Sequence, residues 1–460
     1  MKHLFFVGIT GHTMRGLAEA CTQLGYKVSG FDPAGADPGA AWLDEHGIPW
    51  SREFQIADLH GVEAVIVTGA HVSPDTPVII EAAKHDISVK SWAQLVGELS
   101  AKAHVIAVAG THGKTTTSSL ITWLLESAGR HPDYVIGIQP FNFDSSVRLS
   151  GAKTMVVEGD EYRASPLEDK SKLQYYHPDT LIVTNIEMDH PDFFVNEAAV
   201  MSRFEEIIAA LPKSGRLIVC AENSNALAAA RVAPCDIITY GLHTGDYQAR
   251  NIAYVPAGIE FDVVAYGNVL GRVALPVFGR HNVLNSLSAI AAVLKAGLDL
   301  GQVINGATEF KGSYRRFNRL TTSDDAVTVI DDYAHHPTEV AATLEAARLH
   351  YRHRRIIAVF RPHTYSRTAA LLANYANAFN EADMSIITGI EGAREAHLSH
   401  TVSGADVAKV AGKTATYLEN RPEVVTHLKA HIQPGDVLVC MTVSGFDNLA
   451  NELATSLNAK

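Results

Sequence analysis

A chain of 460 residues is too long for one hydrophobic core and divides into several domains. With 47% hydrophobic residues and no apolar run long enough to span a bilayer, it reads as a cytoplasmic globular protein without membrane insertion. A formal charge of −12 argues against broad nucleic-acid binding, and four cysteines without a close pair argue against zinc sites and disulfides.

Residues 1–100 read as one α/β unit. His3 to Gly8 is a strand, the turn Gly8 to Gly16 leads into a helix ending near Leu24, and Lys27 to Phe31 is a second strand closed by Asp32. Glycines in a first strand–helix turn and an acid after the second strand are the pattern of a Rossmann-like nucleotide fold. The glycine spacing is not the dinucleotide fingerprint, so a nucleotide group is expected at this turn rather than a dinucleotide cofactor. Ala64 to Thr68 is a further buried strand, broken by the turn-rich His71 to Pro77.

Residues 103–311 form a second unit, opened by Gly110-Thr111-His112-Gly113-Lys114-Thr115-Thr116. An apolar strand, Val105 to Val108, precedes this stretch and a helical run from Ser118 follows it. Strand, glycine loop and helix in that order make a phosphate cradle, because backbone N–H groups and the helix dipole face the anion. Lys114 is placed to reach the terminal phosphates and Thr115 to sit on magnesium. Two later strands end in acids: Met155 to Val157 in Glu158-Gly159-Asp160-Glu161-Tyr162, and Leu181 to Val183 in Thr184 to Asp192. Ligands of open α/β sheets bind beyond the carboxyl ends of strands, and hard oxygens suit Mg²⁺. Thr115, Glu158 and His190 are the expected metal ligands. Downstream, Arg280 to Asn285 precedes an apolar helix expected from Ser286 to Ala296. His281 and Asn285 share one face at its start. Asn282 and Asn285 either offer amide pairs to a base edge or cap the helix.

Residues 313–460 are a third α/β unit, read as Rossmann-like. Val327 to Ile330 is a strand ending in Asp331-Asp332-Tyr333-Ala334-His335-His336-Pro337, and a helix runs from Thr338 to His350. Ile356 to Phe360 ends in Arg361 to Arg367, and Val437 to Met441 is a further strand. Alternation of strands and helices predicts a mainly parallel sheet.

The phosphate loop, Asn185 to Asp192, Arg280 to Asn285 and Asp331 to Pro337 together resemble the Mur ligase family, in order and spacing along essentially the whole chain. The resemblance implies three domains: a Rossmann-like one for a UDP-sugar, a central P-loop ATPase, and a C-terminal Rossmann-like one for the incoming amine. It implies ATP and Mg²⁺ as cofactors, with UDP-N-acetylmuramate and a muropeptide as partners. It assigns Gly110, Thr111, His112, Gly113, Lys114, Thr115 and Thr116 to the phosphates, and His281, Asn282 and Asn285 to adenine or its sugar. Arg316 falls to the γ-phosphate and Asp332 to the ribose. Lys114, Glu158, His190, Asn185 and Arg316 become the catalytic set. Gly11, His12, Thr13, Met14, Asp32 and His71 fall to the acceptor, and His335 and Arg367 to the amine.

Two kinds of member share this layout, one adding free L-alanine and one adding L-alanyl-γ-D-glutamyl-meso-diaminopimelate in cell-wall recycling. Glu158 to Tyr162 and Asp169-Lys170-Ser171-Lys172 resemble the tripeptide kind, which is the expected activity. Phe360 to Arg367 resembles the alanine kind, with Thr364 where an arginine is expected, so alanine is the alternative. A reading of another class is an ATP-binding regulator that ligates nothing. Arg316, Asp332, His335 and Arg367 speak against it, since a simple switch does not need them.

Overall fold

The computed structural model describes residues 2–35, 38–69, 72–321, 327–399, 401–443, 446 and 448–458, so the candidate His71 lies outside the described residues. Three sheets organise the chain. The first has five parallel strands in the order Trp50–Ser51, Lys27–Phe31, His3–Val7, Ala64–Val67 and Ser88–Ser91. Its middle strands are buried on both faces, which is why they read as unbroken apolar runs rather than alternating ones.

The second sheet has ten strands, and His104–Ala109 lies inside its parallel core. Thr180–Val183 pairs on one side of it and Thr154–Glu158 on the other. This pairing brings two acid-bearing strand ends to the two flanks of the glycine loop. At one edge Tyr247–Val255, Gly258–Ala265 and Asn268–Leu275 make an antiparallel meander that the sequence reading did not resolve. Their outward residues are mixed and the apolar alternation is interrupted by register shifts near Arg250 and Val263.

The third sheet runs Asn318–Arg319, Thr328–Asp332, Val437–Met441, Ile356–Phe360, Met384–Ile387 and Ala415–Tyr417, parallel except for its first strand. The chain is thus α/β, in three units, as expected. Helix starts differ from the expectation in a useful way. The loop helix is Lys114–Ser127 and the later one Arg280–Lys295, so Lys114, Thr115, His281, Asn282 and Asn285 all lie in first or second helical turns. No helix among the described residues is long and apolar enough to cross a membrane.

The third unit closes over the second. Arg367 Nε donates to Asp189 Oδ1 at 2.7 Å, Thr338 Oγ1 to Glu187 Oε2 at 2.8 Å, and His336 Nε2 lies 3.2 Å from the Met188 carbonyl.

Candidate active site

Gly110 and Gly113 have φ of +126° and +83°, in the region that L side chains avoid. A Cβ on Gly113 would also lie 2.3 Å from Asn285 Oδ1, and one on Gly110 2.1 Å from Thr184 Oγ1. The loop is therefore built for glycine twice over. Gly113→Ala is expected to cost about 1–2 kcal/mol in backbone strain alone and to displace Asn285. Melting with and without ATP checks this: a nucleotide-induced shift equal to that of the parent protein refutes it.

Gly113 caps the helix Lys114–Ser127 without any side-chain cap, so the helix N-terminus stays open to an anion. Asn185 fixes the loop from the neighbouring strand, accepting from His112 N at 2.9 Å while its own backbone carbonyl accepts from Thr111 N at 3.0 Å. Asn185 thus braces the loop and also lines the cavity beside it. Lys114 Nζ donates to Gly110 O at 2.7 Å and lies 3.6 Å from Glu161 and 3.7 Å from Asp160. Burial opposes its charge, but these acids and Glu158 outweigh it and hold the ammonium above its usual range.

Glu158 accepts from Thr115 Oγ1 at 2.9 Å and from Gly137 N at 2.8 Å. Burial, with the nearby Asp160 charge, pushes its carboxyl up. A buried carboxylate that resists ionisation, paired with a hydroxyl, is a donor set that a hard divalent cation would satisfy. His190 lines the same cavity, about 360 Å³, with its ring 4.4 Å from that of Tyr162. The residues fit Mg²⁺. Glu158→Ala is expected to raise the magnesium concentration needed for activity sharply, and an unchanged titration removes Glu158 from the metal.

Among the described residues, a cluster of His, Cys, Asp or Glu with ligand atoms within 4.8 Å of one another is instead His112, Glu187 and His336. It reads as a seam between domains. His336 accepts from Thr338 N as the helix cap and faces the Met188 carbonyl, so both its nitrogens are engaged. His112 lies 3.2 Å from Glu339 and 3.6 Å from Glu187. Burial opposes its charge, yet the two carboxylates push the imidazole up to about 9. The raised value means that this contribution to closure is full below about pH 6.5, the ordinary histidine value, and is lost as pH rises through about 9. Small-angle scattering between neutral and alkaline pH is expected to show the C-terminal domain loosening, which His112→Gln abolishes as a pH effect.

A second cavity, about 340 Å³, opens on the other side of the loop and is lined by His281, Asn282, Asn285, Asp332, Arg316 and Glu339 among others. His281 is half-buried, and its Nδ1 is covered and has no partner. Burial draws its imidazole down to about 4, so it is neutral and can take a hydrogen bond from a ligand. Asn282 Nδ2 donates to Phe278 O at 2.7 Å and Asn285 Nδ2 to Asn282 Oδ1 at 3.0 Å, which leaves each amide a second donor in the cavity, while the helix cap is Gly279. Asp332 lines the cavity as well, its oxygens accepting from Phe317 N and Ala334 N, each at 2.7 Å, with acceptor capacity left on Oδ2. Arg316 lines both cavities, its buried Nε without a partner, one terminal nitrogen 3.9 Å from Glu339 and its guanidinium 5.3 Å from the Tyr333 ring centroid.

On the amine side His335, His363 and Arg367 line the catalytic cavity. Burial draws His335 down to about 4, and its Nδ1 is 3.3 Å from Glu339. Arg367 is not a free substrate clamp: it is buried, bonded to Asp189, and 3.1 Å from His363 Nδ1. From the first domain only Thr13 among the acceptor candidates lines this cavity. Gly11 caps the helix His12–Gln23, and His12 bonds Arg15 in a separate small cavity that Trp42 also lines. Met14 is corrected: it is buried in the core at 3% exposure. Asp32 likewise braces its own turn, accepting from Thr10 N and Ala34 N, both at 3.1 Å.

The chain is similar to known proteins along nearly its whole length. The sequence model described as Mur ligase family, catalytic domain, matches residues 3–104, that of the Mur ligase middle domain residues 108–293, and that of the Mur ligase glutamate ligase domain residues 315–442. The chain belongs to the Mur ligase family. It is accordingly an ATP-dependent acid–amino-acid ligase. A relative from Desulfitobacterium hafniense, named UDP-N-acetylmuramate–L-alanine ligase, is 37% identical over 95% of this chain and 96% of its own. The solved UDP-N-acetylmuramate–alanine ligase of Thermotoga maritima matches at 25% identity and TM-score 0.80 over 98% of each chain. The murein peptide ligase of Psychrobacter arcticus matches at 27% and TM-score 0.74 over 100% of this chain and 99% of that one.

Four residues of this Mur ligase's site escaped the sequence reading: Asp160, Lys172, Glu339 and His363 line the catalytic cavity. Asp160 and His363 were visible as strand-end residues. Glu339 looked like an ordinary first-turn acid of the helix Pro337–His350, and Lys172 like a surface charge.

Proposed function

We propose that the chain joins L-alanine to the lactyl carboxylate of UDP-N-acetylmuramate, with Mg²⁺ held by Thr115, Glu158 and His190. What carries this over the tripeptide expectation is the likeness, over 95% of this chain, to relatives named UDP-N-acetylmuramate–L-alanine ligase that are 35% and 37% identical.

A carboxylate is a poor electrophile, because its leaving group would be an oxide. Phosphorylation by ATP gives an acyl phosphate with a good leaving group. The alanine nitrogen then forms the C–N bond, the C–O bond to phosphate breaks, and the amine's proton leaves with phosphate. The metal ion supplies charge neutralisation on the phosphates. The chain itself supplies position and charge: the glycine loop and Lys114 hold the phosphates, Arg316 meets the γ-phosphate, and the closed C-terminal domain excludes water.

A tripeptide amine is the second reading. The lysine-bearing stretch Asp169 to Lys172 favours it, as does Thr364 in a segment without the additional guanidinium that a free α-carboxylate prefers. Phosphate release with ATP, Mg²⁺ and UDP-N-acetylmuramate separates the two. Turnover with L-alanine and not with the tripeptide is expected; the reverse assigns the recycling reaction, and turnover with neither leaves the ATP-binding regulator.

A further inference from the structure

Lys172 is a buried cation in the catalytic cavity for which the reaction above has no task. Its side chain is only 10% exposed and lines the cavity together with Thr13, Lys114, Glu158 and His190. The ammonium donates to Asp160 Oδ2 at 2.6 Å and to Tyr162 Oη at 3.2 Å. It sits 4.6 Å from the Tyr162 ring centroid and 5.0 Å from that of Trp92. An ammonium has three donors. Two are thus engaged, and among the described residues the third has no protein acceptor.

Two features give this position meaning. Asp160 is shared: its other oxygen lies 3.7 Å from Lys114 Nζ, so one carboxylate holds two ammonium groups side by side. Although burial opposes it, Lys172 and Lys114 hold the Asp160 carboxyl well below the usual range, so the trio stays ionised. The second feature is location. Trp92 opens the helix Trp92–Ser100 of the first domain, and Thr13 belongs to that domain too. Lys172 therefore stands at the seam between the first two domains, where an acceptor held by the first must present its carboxylate to the phosphates of the second.

We propose that Lys172 receives the acceptor's carboxylate, its third donor binding one oxygen while the other is held in line with the γ-phosphorus beside Lys114. This rests on the carboxylate acceptor assigned above. In the step served, a carboxylate oxygen forms a bond to the γ-phosphorus, the bond to the β,γ-bridging oxygen breaks, and ADP leaves with that electron pair. No proton moves. Two anions have to meet in this step, and a second ammonium lowers their repulsion where Lys114 already serves the phosphate.

The test follows hydroxamate formation when hydroxylamine traps the acyl phosphate made from ATP and UDP-N-acetylmuramate by the full-length protein. Lys172→Met is expected to lower it by about 10²-fold, the loss typical of one charge-stabilising donor. The effect should include a higher KM for the acceptor, with ATP binding unchanged. Lys172→Arg should recover most of the loss. In the double variant Asp160→Asn with Lys172→Met, Lys114 keeps Glu161 as counter-ion and the Gly110 carbonyl, so this variant decides the matter if the single variant melts early. The double variant stays slow if Lys172 binds the acceptor. Recovery of parental rate in the double variant, or a single variant within about threefold of the parent, reduces Lys172 to a counter-ion and overturns the proposal. A parent protein that forms no hydroxamate overturns the acceptor reading itself, and this assignment with it.

Discussion

Lys114→Ala lowers turnover by about 10² to 10³-fold, the loss expected for one preorganised charge-stabilising donor, with the fold retained. The lysine begins the helix Lys114–Ser127 and its ammonium touches only the loop carbonyls and the acids at the neighbouring strand end. None of the hydrophobic packing depends on it. Asp160 keeps Lys172 as partner in the variant, which limits the stability cost. Single-turnover ADP release measures the effect, and a rate near the parent's would remove the loop from phosphate handling.

Arg367→Ala opens the molecule. Arg367 and Asp189 are each 7% exposed in their side chains, come from different domains, and bond at 2.7 Å. Although burial opposes it, His190 and Arg367 hold the Asp189 carboxyl well below its usual range. Removing one partner of a buried pair leaves a desolvated charge and costs about 3–5 kcal/mol. The cheapest escape is for the C-terminal domain to undock and let water reach Asp189. Ligation is therefore expected to fall by more than about 10²-fold, while ATP still binds the central domain. Small-angle scattering should show an expanded particle. A compact variant with parental ligation would show that the pair does not hold the domains together. The neighbouring contacts Thr338 to Glu187 and His112 to Glu339 act in the same direction and are too few to replace it.

The glycine loop and its flanking acids were legible in the sequence because they are local. Gly110 to Thr116 needs only its own strand and helix to become a phosphate cradle, and Glu158 and His190 follow strands whose carboxyl ends must lie beside it in a parallel sheet. The three-unit α/β order was legible for the same reason, from apolar runs such as His3–Val7 and Ile356–Phe360. Met14 and Asp32 were misassigned because turn residues next to a nucleotide-type glycine pattern look alike whether they face a ligand, the core or their own backbone. Only the fold puts Met14 inward and gives Asp32 to Thr10 and Ala34.

What only the tertiary structure decided are the contacts between groups far apart in the chain. Asp332 sits in a run of polar residues, and nothing local says that backbone N–H groups of Phe317 and Ala334 donate to it. Arg367 was expected to face a substrate; its pairing with Asp189, 178 positions away, depends on how two domains close. Lys172 is the extreme case. In sequence it is one charge in a charged stretch, which is ordinarily a solvated surface. Asp160, Tyr162 and Trp92 enclose it only once two domains meet, and it is that low-dielectric enclosure that turns a surface lysine into a functional charge. Sequence alone thus determined the chemistry of the nucleotide loop, because backbone geometry and nearest neighbours suffice to make it. The tertiary structure decided which distant charges are paired, because pairing depends on desolvation that no local pattern encodes.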